Sequence, residues 1–162
     1  MEKWDLYDRD RNIIGEHIRG EALPADSYHL VVHVWIKNSQ GKYLMSQRAK
    51  NRPTFPLMWE CVGGSVLKGE SSLQGALRET LEEVGVPLTA QTGKLLFSTI
   101  RKQFNDMVDV WLFPYDGNVS LKNATTDEVE QTAWLDRNDI MRLKQENKLV
   151  NTLDYFFDKV DP

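Results

Sequence analysis

Residues 63–86 read GGSVLKGESSLQGALRETLEEVGV, a stretch that frames a helix at both ends. From Ser71 onward good helix formers predominate, and no proline occurs before Pro87. Ser71 and Gln74 have the spacing of a capping box, and Gly85 stands where helices stop. At about 100° per residue, Leu73, Leu77, Thr80, Leu81 and Val84 share one stripe, while Glu79, Glu82 and Glu83 are expected together on the opposite side. Such a helix must bury one side against other elements and leaves three carboxylates on the other.

Repulsion does not forbid that grouping. At ~6 Å in a water-like dielectric two like charges repel by only about 0.7 kcal/mol, and the i,i+4 pair Glu79 and Glu83 costs a few tenths of a kcal/mol. A solvated helix face and a functional cluster are both compatible with these energies.

The spacing is more specific. Gly64, Glu70, Arg78-Glu79, Glu82-Glu83 and Gly85, followed by apolar Val86, fit the Nudix box, so the chain resembles the Nudix hydrolase family. Coincidence of seven fixed residues at a given start has a probability on the order of a few in a billion at ordinary residue usage. Thr80 departs from the pattern, standing where a larger aliphatic residue is usual. The resemblance, over roughly residues 28–145, implies an α/β fold: a Nudix α/β/α sandwich with a mixed central sheet, here with an N-terminal β-hairpin extension.

It also implies an activity: metal-dependent hydrolysis of a diphosphate linkage in a nucleoside diphosphate derivative or related small molecule. A phosphoanhydride is shielded by its own charge, and a divalent cation both neutralises that charge and acidifies water. By similarity, Glu79, Glu82 and Glu83 would ligate Mg²⁺ (or Mn²⁺) together with the main-chain carbonyl of Gly63. Arg78 would orient carboxylates, Glu70 among them. The base is expected to be Glu82 or one of Asp127, Glu128 and Glu130 in TTDEVEQTAW, with Asp106 and Asp109 as weaker candidates.

Length and composition suit one domain spanning 1–162, since 162 residues with 41% hydrophobic content can build a real core. A formal charge of −4 and the lack of a Lys/Arg run argue against a nucleic-acid polymer or an anionic membrane as partner. A small-molecule diphosphate is the expected partner, with a homodimer as a further possibility. The single cysteine, Cys61, excludes an internal disulfide, and MEKWDLYDRD lacks the order of a secretory signal, so a cytoplasmic location is expected.

Along the chain, Trp4–Tyr7 and Ile13–Ile18 flank the turn-forming DRDRN and predict an N-terminal hairpin. Tyr28–Lys37 and Lys42–Arg48 around NSQG predict a second, and Lys94–Lys102 with Met107–Tyr115 around QFND a third. Trp59–Val62 reads as a short strand feeding the box, and Gln131–Leu135 as a later one. Asp136 caps a helix to about Gln145, and Leu153–Val160 reads as a short apolar-faced helix.

The segments WDLYDRDRNIIGEHIRGEALP, YHLVVHVWI, QRA and MWECVGG look like the branch of the superfamily that holds type I isopentenyl-diphosphate isomerases, which makes isomerisation a rival activity. Those isomerases need a cysteine and a histidine seven and five residues before the glutamate matching Glu70, and here Gly63 and Ser65 stand there. Cys61 is expected to pack. His29 matches an isomerase metal ligand, but without those partners a packed or hydrogen-bonded role is favoured; His33 shares its strand face, and His17 gives no signal. A non-catalytic nucleotide sensor is the third reading. Arg48, Arg52, Phe55, Trp59, Arg101 and Phe104 could touch substrate, without an assignable role.

Overall fold

The computed structural model describes residues 1–162. Its first element is the predicted hairpin, β1 (Lys3–Tyr7) with β2 (Ile13–Ile18), paired antiparallel. In its turn, Asp8 Oδ1 accepts from the amides of Asp10 and Asn12, both at 2.9 Å. Arg11 takes the left-handed conformation, with φ 67°.

The main sheet contains β3 (His29–Lys37), β4 (Tyr43–Arg48), β5 (Trp59–Glu60), β6 (Val62–Ser65), β7 (Lys94–Arg101), β8 (Asp106–Pro114) and β9 (Val129–Leu135). β3 and β8 run parallel in unbroken register from His29↔Asp106 to Lys37↔Pro114, and the remaining pairings are antiparallel. The sheet is therefore mixed. The β7–β8 hairpin forms as predicted, from Lys94↔Leu112 to Arg101↔Asp106.

The second predicted hairpin is corrected. β3 and β4 leave the NSQG turn side by side but share only the register pair Lys37↔Tyr43. Beyond it they splay, and the segment Trp59–Ser65 enters between them. β5 pairs with β4 at Ser46↔Glu60, and β6 pairs with β3 at Val32↔Gly64. The expected Trp59–Val62 strand is thus two short ladders broken at Cys61, which bring the box onto the central strand.

Alternation along β3 divides the interior. Leu30, Val32, Val34 and Ile36 join Ala76 and Val84 of helix α1 (Ser72–Val84) in one core. Trp35, with Tyr43, Met45, Val108 and Val110, joins Ile140 of helix α2 (Arg137–Gln145) and the C-terminal Leu153 and Phe156 in the other. Helices cover both faces, giving the sandwich. Each fully buried large apolar side chain contributes about 1.5–3 kcal/mol.

Both helix starts follow the sequence. Ser71 caps α1 in a complete box with Gln74, and Gly85 ends it at φ 69° with its N–H on the Leu81 carbonyl. Asp136 caps α2 in the same way with Asp139. The C-terminal segment is not a single α-helix: a 3₁₀ turn (Asn151–Leu153) and a π turn (Phe156–Val160) replace it, with Phe156 and Phe157 buried. No helix is long and apolar enough to cross a membrane.

The predicted stripe on α1 also needs correction. Thr80 and Val84 are buried with Ala76, but Leu81 is 47% exposed, and Glu83, expected on the solvent side, is 8% exposed. The covered arc is wider than one stripe. The Asn123–Thr126 loop closes over the helix end: Thr125 N donates to the Glu82 carbonyl at 2.9 Å, and Asn123 lies against Gly85. Glu83 lies on the cavity wall with Val31, Gly63 and Gly64, whereas Leu81 falls outside the packed side. The hydroxyl of Thr80, the residue departing from the family pattern, donates back to the Ala76 carbonyl at 2.8 Å.

Candidate active site

A short extended segment, Val62–Ser65, runs past the inner side of α1. Gly64 has no side chain to give there: a methyl on its Cα would lie 2.7 Å from Glu79 Oε2 and nearer still to Oε1 and Cδ. At Gly63 a methyl would stand 2.8 Å from the Val32 carbonyl oxygen. The two glycines let strand and acidic helix come into direct contact.

Arg78 organises the acids. Its Nε donates to Glu70 Oε2 at 2.7 Å and its Nη2 to Glu70 Oε1 at 3.0 Å, a two-pronged pair. Nη2 also donates to the Ser65 carbonyl at 3.0 Å, and Nη1 reaches Glu79 Oε1 at 3.1 Å and Glu82 Oε2 at 3.0 Å. Glu70 further accepts from the Leu67 amide at 2.8 Å, which closes the box loop. Burial pushes the Glu70 carboxyl up, but the Arg78 and Leu67 bonds hold it below the ordinary range. Burial likewise opposes the Arg78 charge, and Glu70, Glu79 and Glu82 together more than restore it.

Glu79 and Glu83 are in a different condition. Burial raises Glu79 to about 7 against the pull of Arg78, with Glu82 repelling it as well. Burial first, then the charges of Glu79, Glu60 and Glu128, push Glu83 well above its ordinary value. A buried carboxyl facing three others is short of positive charge. No three acidic, histidine or cysteine side chains are grouped so as to hold a metal ion as they stand, because Arg78 draws Glu79 and Glu82 onto its guanidinium. The donor chemistry nonetheless fits a hard divalent cation: all-oxygen ligands, two of them one helical turn apart beside a glycine-bared strand.

Two cavities meet here. A cleft of ≈ 300 Å³ is lined by Glu79, Glu82, Glu83 and Arg78. A recess of ≈ 210 Å³ is lined by His33, Arg48, Glu60 and Thr152. They share Val31, Arg52, Gly63, Gly64, Glu83 and Glu128 as a common wall.

Of the expected loop acids, Glu128 alone lines the cavities, and it pairs with Arg52 at 3.1 Å. Asp127 and Glu130 are exposed away from them. Asp106 is taken by Arg101 through two bonds of 2.8 and 2.7 Å. Asp109, buried, is taken by Arg11 and by Ser98 Oγ at 2.6 Å. Glu60 was not expected. It lines the recess and receives Arg48 Nη1 at 2.8 Å, while burial raises its carboxyl. Its one signal in the sequence is a charge inside the otherwise apolar Trp59–Val62.

Among the residues considered for substrate contact, Arg48 and Arg52 line the cavities. Phe55 lies in a separate recess, Arg101 is spent on Asp106, and Phe104 lies under Arg101 at 4.6 Å. Trp59 lines neither cavity. His29 stacks on Trp4, centroids 4.1 Å apart, with Nδ1 buried and unpartnered. His33 Nδ1 meets the Tyr155 hydroxyl at 2.7 Å, and buried His17 meets the Glu21 carbonyl at 2.9 Å. Cys61 is buried, and burial raises its thiol pKa.

Comparison with known proteins agrees with this architecture. Residues 27–157 match the NUDIX domain. A Nudix hydrolase of Listeria monocytogenes is 33% identical over 159 residues, covering 97% of this chain and 91% of the relative. An isopentenyl-diphosphate Delta-isomerase of Escherichia coli is 28% identical over 120 residues, covering 70% of this chain and 65% of the relative, in keeping with the branch resemblance. The crystal structure of a Deinococcus radiodurans protein superposes with a TM-score of 0.74 at 22% identity, covering 92% of each chain, a likeness of fold. With a complete acidic box turned toward a cleft and a domain match over most of its length, the chain belongs to the Nudix hydrolase family.

Proposed function

We propose that the protein is a pyrophosphohydrolase that cleaves a diphosphate linkage in a nucleoside diphosphate derivative or related small molecule with Mg²⁺ or Mn²⁺. The observation that carries this reading is buried Glu83 and half-buried Glu79 set against Gly63-Gly64 on an open cleft, beside an Arg78–Glu70 brace. The cation would be held by Glu79, Glu82, Glu83 and the Gly63 carbonyl; bound there, it neutralises phosphate charge and acidifies water.

The protein's own groups do the rest. Arg78 and Glu70 hold the helix acids in place through their paired bonds. Glu82, its side chain 37% exposed, is the most open of the three helix acids on the cleft. Glu128, on the wall common to both cavities, takes the proton of the attacking water on a carboxylate oxygen, with Glu82 as the rival base. Isomerisation is disfavoured because no cysteine stands at residue 63 and Cys61 is buried.

The test is a panel of nucleotide sugars, dinucleotides, nucleoside triphosphates and prenyl diphosphates, assayed for phosphate or nucleotide release with each metal. Turnover that Glu83→Gln abolishes supports the reading. No turnover across the panel, or turnover indifferent to Glu83→Gln, refutes it.

A further inference from the structure

Three guanidinium groups line the acidic cleft: those of Arg19, Arg52 and Arg78. Arg78 is committed, spending its donors on Glu70, Glu79, Glu82 and the Ser65 carbonyl. Arg52 is half-buried on the wall and pairs with Glu128. Arg19 is the most open of the three. Its side chain is 61% exposed, and its one protein partner is Glu2 Oε2, reached by Nη1 at 3.0 Å. That oxygen also accepts Trp4 Nε1 at 3.0 Å, so Arg19 shares its acceptor, and most of its five donors have no protein partner. An exposed pair of this kind adds little to stability.

The mount beneath Arg19 is firm. Arg19 follows β2 directly, and its amide donates to the Glu2 carbonyl at 3.0 Å. The hairpin is tied to the box loop by Lys68 N on the Lys3 carbonyl at 2.8 Å and Gly69 N on Asp5 Oδ2 at 2.9 Å. Tyr7 and Tyr28 exchange backbone bonds of 2.8 and 2.9 Å, Trp4 stacks on His29, and Arg11 pairs with buried Asp109. Arg19 is held over the cleft by a docked element.

The charge of the site gives that position a use. Glu2, Glu79, Glu82, Glu83 and Glu128 line the same cleft, so an anionic ligand meets repulsion that a bound cation offsets only in part. A planar guanidinium with unspent donors matches two phosphate oxygens at once. From this we infer that Arg19 is a substrate-binding residue that grips a phosphate group of the ligand, which makes the N-terminal hairpin a wall of the active site. The inference rests on the reading of the cleft as a diphosphate site.

The test is calorimetric titration of methylenediphosphonate, a diphosphate mimic that resists hydrolysis, into the full chain in excess Mg²⁺. Arg19→Ala is expected to weaken binding by about 10-fold or more, the loss of one charge-assisted contact. Arg19→Lys should recover part of it, and melting should stay within the narrow range of surface substitutions. Wild-type affinity in Arg19→Ala, a loss that tracks a fall in Tm, or no binding by the unaltered protein each overturns the inference. Hydrolysis is scored separately. Protein that binds the mimic through Arg19 yet cleaves nothing in the panel keeps this inference and loses the hydrolase reading; cleavage with Arg19→Ala binding unchanged does the reverse.

Discussion

Gly64 and Glu79 touch: the Cα of the first lies where any side chain would enter the carboxylate of the second. Strand β6 and helix α1 are fitted at this point, and the placement of Glu79 depends on the bare backbone opposite it. Gly64→Ala is therefore expected to push Glu79 aside and lower activity by ~10²-fold, since small displacements of catalytic groups are costly. Overpacking of this kind costs about 1–3 kcal/mol, so the variant should still fold. Circular dichroism with steady-state assays checks this; a folded Gly64→Ala protein of full activity contradicts it.

Glu83 is crowded by Glu79, Glu60 and Glu128. Glu83→Gln removes that repulsion at nearly constant volume. The metal-free variant should melt higher than the metal-free wild type by roughly 2–4 °C, about 1 kcal/mol for a chain of this size. It should also lose the stabilisation that Mg²⁺ confers. Differential scanning calorimetry with and without Mg²⁺ measures both, and a lower melting point in the metal-free variant would count against a site strained by like charge.

The Arg11–Asp109 pair fastens the hairpin turn to β8. Burial raises Asp109, but bonds from Arg11, Ser72 and Ser98 hold it below its ordinary value. With the folded pKa depressed, the pair's stabilisation is complete above the unfolded value and fades as pH falls through the folded one. Arg11→Ala should cost about 2 kcal/mol at pH 7, below the usual range for a fully buried pair because Arg11 is 39% exposed. The gap between the two proteins should narrow below about pH 4. Urea titrations across pH test it, and a gap that widens on acidification would refute it.

Much of the architecture was legible from short-range chemistry. The Ser71–Gln74 box, the Gly85 stop, the Asp136 cap and the DRDRN and QFND turns all act within a few residues, so local sequence determines them. The β3–β4 pairing was not legible, because it is decided by Trp59–Ser65 entering between the strands. Leu81 and Glu83 were misplaced for a related reason: Glu83 shares the cavity wall with Val31 of β3, distant in sequence, while Leu81 is left outside the packed side. Glu60 and Arg19 join the site through strand register and hairpin docking, which no spacing within the box records.

Tyr155 links the C-terminal turn to β3. Its hydroxyl accepts from Trp35 Nε1 at 3.0 Å and meets His33 Nδ1 at 2.7 Å, so one oxygen serves two buried ring nitrogens. Tyr155→Phe strands both nitrogens and should cost about 1–3 kcal/mol. Burial, with a smaller effect of the Arg101 charge, lowers His33 to about 3. The unfolded chain then binds the extra proton first, so stability should fall as pH drops below about 6.5, by at most about 2 kcal/mol at pH 5. Denaturant melts of wild type and His33→Gln at pH 7 and 5 check this; equal acid sensitivity in both contradicts it.

The most direct measurement of the central claim is a Mn²⁺ titration followed by electron paramagnetic resonance, with methylenediphosphonate present, on wild type and Glu83→Gln. Saturable loss of the free Mn²⁺ signal in the wild type, and at least tenfold weaker uptake in the variant, is the predicted result. Equal uptake by both proteins, or none by the wild type, would contradict the assignment of the α1 glutamates as the seat of a catalytic cation.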